Sequence, residues 1–273
     1  MANRMLVVFA ALVISTMPAA AQSPLVCKPF NAAGEVSEAT YVEADVPPPG
    51  DREAFLAGTV NDCPRCDLHG AQLQGRDLSG ADLRASDLSA ASLHRASLSN
   101  VRLDGAVLSS TNLNLTDLRR ASLIKANLTD AMLYRADLSG AILTGADLSG
   151  ARLQHARLTG ALLQGATLKG AWGQSASLAN ADLRRADLQL ANFQDASFSR
   201  AILRQANLAN GGFVGANFTS ADLTQVSAFN ADLLAATLTQ ARLVSADLRN
   251  ARIDGAELAC INIDNAVIGR VMP

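Results

Sequence analysis

The sequence predicts an all-β solenoid, a rod in which short extended edges alternate with bends around a leucine core. Three observations lead to this fold. Every fifth residue from Leu68 to Ile268 is apolar apart from Gly173, and these 41 positions hold 32 Leu, four Phe and three Ile. Ala fills 32 of the 41 positions that lie two residues earlier. The frame never slips, and such an uninterrupted repeat is typical of a solenoid.

Each pentapeptide reads as one edge followed by one bend. An Ala and a Leu two residues apart point to the same side of an extended segment, while the residue between them points away. The two remaining residues, such as Ser-Gly or Thr-Gly, suit a corner. An amphipathic helix needs apolar residues at spacings of three, four and seven, so it does not fit this pattern. The chain is therefore expected to coil with leucine inside.

The phenylalanines indicate four edges in each coil. Phe193 and Phe198 recur as Phe213 and Phe218, a shift of twenty residues. In a four-edge coil each Phe lies on its successor. The same register places Phe193 over Gly173, where the missing side chain leaves room for a ring.

The repeated phrase A(D/N)LxG, as in Ala81-Asp82-Leu83 and Ala136-Asp137-Leu138, resembles the repeats of the pentapeptide-repeat family. The resemblance covers residues 66–270. It implies a right-handed four-sided parallel β-helix of about ten coils, roughly 48 Å long at a strand spacing of ~4.8 Å. Arg76 departs from the pattern because it occupies an inward position that normally holds a small residue.

Residues 1–21 have the layout of a secretory signal peptide. Arg4 precedes an apolar run over residues 5–14, and Ala19, Ala20 and Ala21 precede the expected cleavage site. The apolar run is shorter than the roughly 20 residues that a membrane-spanning helix needs. We expect a periplasmic or secreted protein that is not inserted in a membrane after cleavage.

Residues 22–65 lie outside the repeat and are predicted to cap the first coil, because the open end of a solenoid exposes its core. Within them, residues 51–58 predict a short helix with Asp51 as N-cap and Gly58 as the stop. Phe55 and Leu56 are the candidates to cover the core.

The other end of the rod has no such segment, and residues 271–273 form only a short tail. An unpaired coil edge tends to recruit another chain, and the family resemblance implies dimers of this kind. We therefore predict a homodimer through the C-terminal end, with four candidate contact residues: Cys260, Ile268, Val271 and Met272.

Four cysteines are expected to include a structural disulfide, the usual state in an exported protein. The simplest pairing joins Cys27 to Cys63 or Cys66. Three alternatives remain: free thiols, a redox CxxC pair, and half of a zinc site completed by His69. The repeat places Cys66 inward and His69 outward, which argues against zinc. Cys260 lies roughly 43 Å along the rod at ~4.8 Å per coil, too far to bond the others within one chain.

Catalysis is not expected, because no acids, bases or nucleophiles converge. The three histidines, His69, His94 and His155, fall on outward positions of separate coils. The edge-centre aspartates face outward at repeat spacing and are interpreted as residues that bond local backbone. We expect no cofactor and no metal.

The family resemblance implies one alternative function, since some members mimic duplex DNA and protect a topoisomerase. Residues 66–270 carry 19 Lys plus Arg against 18 Asp plus Glu, so the rod lacks the charge density of a phosphate ladder. Its basic residues are interleaved with acids, so nucleic-acid binding is not expected either.

The remaining prediction is a non-catalytic exported scaffold that binds an unknown protein partner, with a thiol-dependent redox module as a second alternative. Outward apolar residues mark the candidate partner surface, because apolar and aromatic side chains on a polar rod can mark a contact site. They form two groups: Ile142, Leu162 and Ile202, and Met132, Tyr134 and Trp172.

Overall fold

The computed structural model describes residues 48–269, which form a four-sided parallel β-helix preceded by one short helix. The edges pair through single-residue parallel bridges between residues twenty apart, from Asp67–Asp87 to Asp247–Val267. This register divides the outward residues into four faces. Each face consists of edge-centre residues spaced twenty apart. Face 1 starts at Asp67, face 2 at Gln72, face 3 at Asp77 and face 4 at Asp82.

Several sequence predictions lie outside the described residues. These are the signal peptide over residues 1–21, Cys27 as a disulfide partner, and Val271 and Met272 as dimer contacts. Over residues 48–269, the structure holds no helix with the length and apolarity that a membrane crossing needs.

Helix α1 spans Arg52–Ala57 and lies where the sequence predicts it. The Asp51 carboxylate accepts a hydrogen bond from the Ala54 amide, which satisfies one of the free N–H groups of the first turn. Gly58 ends the helix in the left-handed region at φ 78°.

Only one of the two predicted capping side chains covers the core. Phe55 is fully buried, but Leu56 is 39% exposed. The prediction for Leu56 is wrong because adjacent residues of a helix point about 100° apart, so a single turn presents only one of them to the coil. Arg76 completes the cap: its Nη1 donates to the Phe55 carbonyl oxygen at 2.7 Å, and its guanidinium lies 4.5 Å from the centre of the Phe55 ring.

The core is a column of leucines interrupted by a stack of phenylalanines. Phe193 lies parallel to Phe213 with ring centres 6.3 Å apart, and Phe198 lies parallel to Phe218 at 4.9 Å. The Phe193 ring occupies the space above Gly173, and even a methyl group on Gly173 would overlap it. Both observations confirm four edges per coil.

Backbone hydrogen bonds account for four of the five amides in a typical pentapeptide. In the unit around Leu68, the Leu68 amide donates to Asp87 in the next coil at 2.7 Å, and the Gly70 amide donates to Ser89 at 2.9 Å. The Ala71 amide closes the bend onto the Leu68 carbonyl at 3.0 Å. The Asp87 amide returns to the previous coil at Cys66.

The fifth amide, on the first bend residue, is satisfied by the edge-centre side chain. The Asp77 carboxylate accepts from the Ser79 amide at 3.0 Å, and Asp137 accepts from Ser139 in the same way. Asn127 does so for Thr129. Asp and Asn recur at this position because their short oxygen-bearing side chains close this local turn, as the interpretation of the outward aspartates proposed.

Candidate functional site

Face 2 carries an exposed cluster of aromatic and basic side chains. Met132, Arg152 and Trp172 follow one another in adjacent coils. Trp172 is 50% exposed and Tyr134, at the next corner, 39% exposed. A cavity of about 380 Å³ beside Tyr134 is lined by six residues: Asn114, Met132, Tyr134, Arg152, Gln154 and His155.

Ring contacts join Tyr134, His155 and Arg135 within this cluster. The Tyr134 and His155 rings meet edge to face with centres 5.7 Å apart. The guanidinium of Arg135 lies 5.3 Å from the centre of the Tyr134 ring, within cation–π range. The Tyr134 amide donates to the Asn114 side chain at 2.8 Å, which fixes the corner from which the ring projects. We call Met132, Tyr134, Arg135, Arg152, His155 and Trp172 the aromatic–basic surface.

The aromatic–basic surface has a local excess of positive charge. Among the described residues, neither Arg135 nor Arg152 forms an ion pair. Elsewhere on the rod a repeated arrangement neutralises arginine, because the edge-centre aspartate pairs with an arginine two residues later, as in Asp117–Arg119 at 2.6 Å and Asp247–Arg249 at 2.7 Å. The two arginines of the surface are therefore available to a partner.

The sequence predicted the apolar and aromatic members of this surface but missed Arg135, Arg152 and His155. A signal for them was present. Met132, Arg152 and Trp172 are twenty residues apart, as are Arg135 and His155, so the coil period alone places them in neighbouring coils.

The second predicted group lies on face 4, where Ile142 bridges to Leu162 and Ile202 follows beyond Asp182. All three side chains are only partly exposed. Single, partly exposed aliphatic side chains are common on protein surfaces. Face 4 is therefore the weaker candidate.

The structure pairs Cys63 with Cys66 across the first corner, at disulfide distance and with α-carbons 5.4 Å apart. Both side chains are buried. Pairing of either residue with Cys27 was thus the wrong prediction, because it overlooked that the first bend brings two successive inward positions within disulfide range.

Cys260 is disulfide-bonded as well. The expectation that it bonds no other cysteine of its own chain involves Cys27, which lies outside the described residues, so it stays a prediction.

The histidines do not converge. His69 faces outward, and its Nδ1 lies 2.8 Å from the Ser89 hydroxyl. His155 belongs to the aromatic–basic surface, and His94 lies on another coil. Within residues 48–269, no group of three or more His, Cys, Asp or Glu side chains is arranged to hold a metal ion.

The repeats of the chain match a known protein family. The family model described as pentapeptide repeats matches eight copies, over residues 66–172 and 174–268. The chain belongs to the pentapeptide-repeat family. Pentapeptide repeats fold as right-handed quadrilateral β-helices, which confirms the fold that the sequence predicts.

Solved pentapeptide-repeat proteins resemble the chain to different degrees. HetL, from the cyanobacterium Nostoc sp. strain PCC 7120 and involved in heterocyst differentiation regulation, is 32% identical, with 81% of this chain and 97% of HetL covered and a TM-score of 0.50. A thylakoid-lumen member from Arabidopsis thaliana is 40% identical over 33% of this chain and 63% of its own, with a TM-score of 0.32.

A more distant match is QnrB1, a plasmid-mediated fluoroquinolone resistance protein. It is 18% identical over 75% of this chain and 91% of its own, with a TM-score of 0.28, so it shows only a likeness of fold. Among proteins of curated function, none matches the chain.

The C-terminal end of this pentapeptide-repeat rod is less well covered than its middle. Inward side chains in the middle coils are almost inaccessible, whereas those of the last coil are only partly buried: Ile253, Leu258, Ile261, Ile263 and Ile268. Val267, on face 1 of the last coil, is among the exposed large hydrophobic residues. Cys260 lies in the same coil.

Proposed function

We propose that this pentapeptide-repeat protein is an exported, non-catalytic scaffold that binds an acidic protein partner through the aromatic–basic surface. The observation that carries the proposal is the exposure of Trp172 and Tyr134 beside two arginines that form no ion pair among the described residues. Trp, Tyr, Met and Arg are the residue types enriched at protein interfaces and their hot spots.

Charge supports an acidic partner. A carboxylate of the binding protein would meet Arg135 or Arg152 without breaking an ion pair among the described residues of the rod. The free energy of binding would therefore not be reduced by the loss of such a pair. A nucleic acid fits less well, because the basic residues of the rod are interleaved with acids and form no continuous positive track for a phosphate backbone.

Export is supported by two features. The signal peptide predicted for residues 1–21 and the pairing of Cys63 with Cys66 both fit an oxidising compartment outside the cytoplasm. We expect cell fractionation with thiol labelling to find a shortened chain in the periplasm or medium. In that chain Cys63 and Cys66 should react with an alkylating reagent only after reduction and unfolding. A full-length reduced chain in the cytoplasm would contradict the proposed export.

The two alternative functions have less support. Thiol exchange requires access to a sulfur atom, whereas Cys63 and Cys66 are both buried. DNA mimicry requires a continuous run of unpaired acids, whereas several aspartates pair with arginines, as at Asp182–Arg184 with 2.8 Å between the charged atoms.

A homodimer through the C-terminal end remains part of the proposal. The partly exposed inward residues of the last coil, with Ile268 among them, present an apolar end that a second copy could cover.

The partner surface is tested by site-specific photo-crosslinking in the protein's own host. The photoreactive amino acid p-benzoylphenylalanine replaces Trp172 in one variant and Gln72 in another. Gln72 is exposed on the same face but lies far from the aromatic–basic surface. We expect a discrete protein adduct at position 172 and none at position 72.

A charge-reversed version of the position-172 variant, with Arg135→Glu and Arg152→Glu, separates specific capture from proximity. We expect its adduct to fall at least about tenfold, since loss and reversal of charge-assisted contacts cost about 1.5–3 kcal/mol each. Equal adducts at positions 72 and 172, or an adduct indifferent to charge reversal, would overturn the proposal.

A further inference from the structure

The corner between faces 4 and 1 contains a polar groove that the partner surface does not use. It has a volume of about 520 Å³, and nine residues from five coils line it: Thr144, Gln164, Gly165, Arg184, Arg185, Arg204, Gln205, Thr224 and Gln225. Three of the nine are arginines from two neighbouring coils. A hypothetical Cβ on Gly165 would meet no atom within 4 Å, so this glycine leaves the groove open on one side.

The floor of the groove is a buried and fully connected polar network. Gln164 is 6% exposed and Asp182 is 3% exposed. The Gln164 amide donates to the Asp182 carboxylate at 2.8 Å and accepts from the Thr144 hydroxyl at 2.9 Å. Arg184 donates to the same carboxylate from Nε and Nη2 at 3.0 and 2.8 Å. Such a network holds the Arg184 guanidinium in a fixed orientation before any ligand arrives.

A second carboxylate fixes Arg204. Its Nε donates to Asp222 at 2.6 Å, and the Thr224 hydroxyl donates to the other oxygen of Asp222 at 2.6 Å. Burial alone would raise the pKa of Asp222, but these hydrogen bonds outweigh it and hold the pKa below its ordinary value. The carboxylate is therefore charged at neutral pH, and Arg204 is a paired and oriented cation.

Arg185 is the unbalanced charge of the groove. Its Nε donates to the Gln205 side chain at 3.2 Å, and Gln205 in turn donates to Gln225 at 3.0 Å. Within residues 48–269, Arg185 pairs with no carboxylate, and the Nη atoms of Arg185 and Arg204 make no hydrogen bond. Among the described residues, two aspartates thus face three arginines, which leaves one excess positive charge together with the Nη donors of Arg185 and Arg204 that make no hydrogen bond there.

We propose that this groove, the arginine corner, binds an oxoanion, meaning the carboxylate or phosphate group of a small ligand. The planar guanidinium fork matches the two oxygens of such a group, and the side-chain amides add neutral donors and acceptors that can recognise its polar surroundings. Arg185 supplies the uncompensated charge, while Arg184 and Arg204 are positioned by Asp182 and Asp222.

The test follows the arginine Nε–Hε signals of the isotope-labelled mature chain by NMR during titration with inorganic phosphate and, separately, with succinate. Sodium chloride at equal ionic strength serves as the reference. We expect saturable shifts of the Arg185 and Arg204 signals with at least one of the two anions. Saturation by phosphate alone indicates a phosphate-bearing ligand, saturation by succinate alone indicates a carboxylate, and saturation by both indicates a site for either.

Arg185→Gln is the decisive variant. Glutamine is tolerated at this bend, since Gln205 and Gln225 occupy the same position of the next two coils with φ of 59° and 57°. We expect affinity to fall at least about tenfold, as for the loss of one charge-assisted contact. Arg95→Gln, at the second bend residue of a distant coil and of another corner, should leave the affinity unchanged. Shifts that never saturate, or equal affinity in Arg185→Gln, would overturn the proposal.

Discussion

The second bend residue of each pentapeptide has a positive φ, and many of these residues are not glycine. Arg120 and Leu190 have φ of 57° and 60°, close to the 63° of Gly165. For residues with a side chain the left-handed region costs about 1–2 kcal/mol. The rod accepts this cost repeatedly because the adjacent inter-coil hydrogen bonds determine the bend.

The cost of the bend can be measured by two opposite substitutions. Gly165→Ala adds a methyl group in open space, so strain should lower the free energy of unfolding by about 0.5–1 kcal/mol after the entropy of the unfolded chain is subtracted. Leu190→Gly, at a side chain that is 57% exposed, should raise it by about 0.5 kcal/mol after the entropy of the unfolded chain is subtracted. Urea unfolding of both variants tests this. A Gly165→Ala protein as stable as the parent would show that the bend is unstrained.

Gly173 and Phe193 form a complementary pair, and their coupling can be predicted. Gly173→Leu restores the repeat but overlaps the Phe193 ring, so it should cost about 1–3 kcal/mol or more. With Phe193→Leu added, the leucine fits. The double variant should be more stable than the sum of the single effects by at least about 1 kcal/mol in a double-mutant cycle. Additive effects would mean that the ring can move aside without cost.

At the scale of elements, the described part of the N-terminal cap is the six-residue helix α1, which is held by a few contacts. Phe55 fills the end of the core, Arg76 bonds the Phe55 carbonyl, and Arg52 donates to the Asp67 carbonyl at 2.5 Å. The Gly50 amide joins the Pro64 carbonyl at 2.8 Å. Within residues 48–65 the cap has few anchors, and we expect this part to open before the rod does.

We therefore expect Phe55→Ala to cost about 3–5 kcal/mol, and Arg76→Met about 1 kcal/mol. Hydrogen exchange should accelerate first in the coil that begins at Cys66, because that coil loses its cover. Leu56→Ala is the matched control from the same helix, and its exposed side chain predicts a loss of less than about 0.5 kcal/mol. If Leu56→Ala is as harmful as Phe55→Ala, the cap packs differently.

The elements also show what the sequence can and cannot predict. The rod was predictable because most pentapeptides place an Ala and a Leu at the same inward positions. With 41 repeats in one frame, a single position that departs from the pattern does not change the predicted fold. For the cap, the sequence predicted the helix and the residues at which it begins and ends. It could not predict which side of so short a helix packs on the core, because that depends on how the helix is placed over the first coil. The Arg76–Phe55 contact and the Cys63–Cys66 pairing depend on where the non-repeating chain crosses the first coil.

The binding sites fall between these cases. The coil period places Trp172 and Arg152 side by side, and it also aligns Gln164, Arg184 and Arg204 at one corner. It does not show which side chains stay exposed or which arginines lack a carboxylate. Those properties depend on the rotamers of long side chains, which the repeat leaves unspecified.

At the scale of the whole molecule, the edge-centre aspartates connect stability to pH. Side-chain and backbone hydrogen bonds from Ser89 hold the pKa of Asp87 below its ordinary value, and bonds from Arg119 do the same for Asp117. A carboxyl with a lowered pKa in the folded state adds stability above its unfolded pKa of about 3.9, and that stability is lost as pH falls through the folded pKa.

We expect the melting temperature to be nearly constant from pH 7 to about pH 5 and to fall steeply below about pH 4. Thermal unfolding monitored by circular dichroism across this range measures the effect. Asp87→Asn keeps an oxygen for the Ser89 amide but cannot titrate, so it should make the acid-side slope shallower. A melting temperature that rises on acidification would contradict the stabilising role of the carboxylates.

The proposed dimer is also a property of the whole molecule. Sedimentation velocity should give twice the mass of the mature chain. Ile263→Asp, in the partly exposed last coil, should shift the protein toward monomer while its circular dichroism is retained. Val60→Asp is the control, because Val60 is an exposed apolar residue near the opposite end. A protein that is monomeric at every concentration, or dimeric in both variants, would refute end-to-end pairing.

Because the bridges join residues twenty apart, the residue number alone gives both the face and the height of a side chain on the rod. The remainder after division of the residue number by twenty names its face or corner, and the quotient gives its height along the rod. Deletion of twenty residues would shorten the rod and keep every remaining side chain on its azimuth, whereas deletion of five would rotate everything beyond the cut by a quarter turn. The distance between the aromatic–basic surface and the C-terminal end can therefore be changed in whole-coil steps without altering their relative orientation.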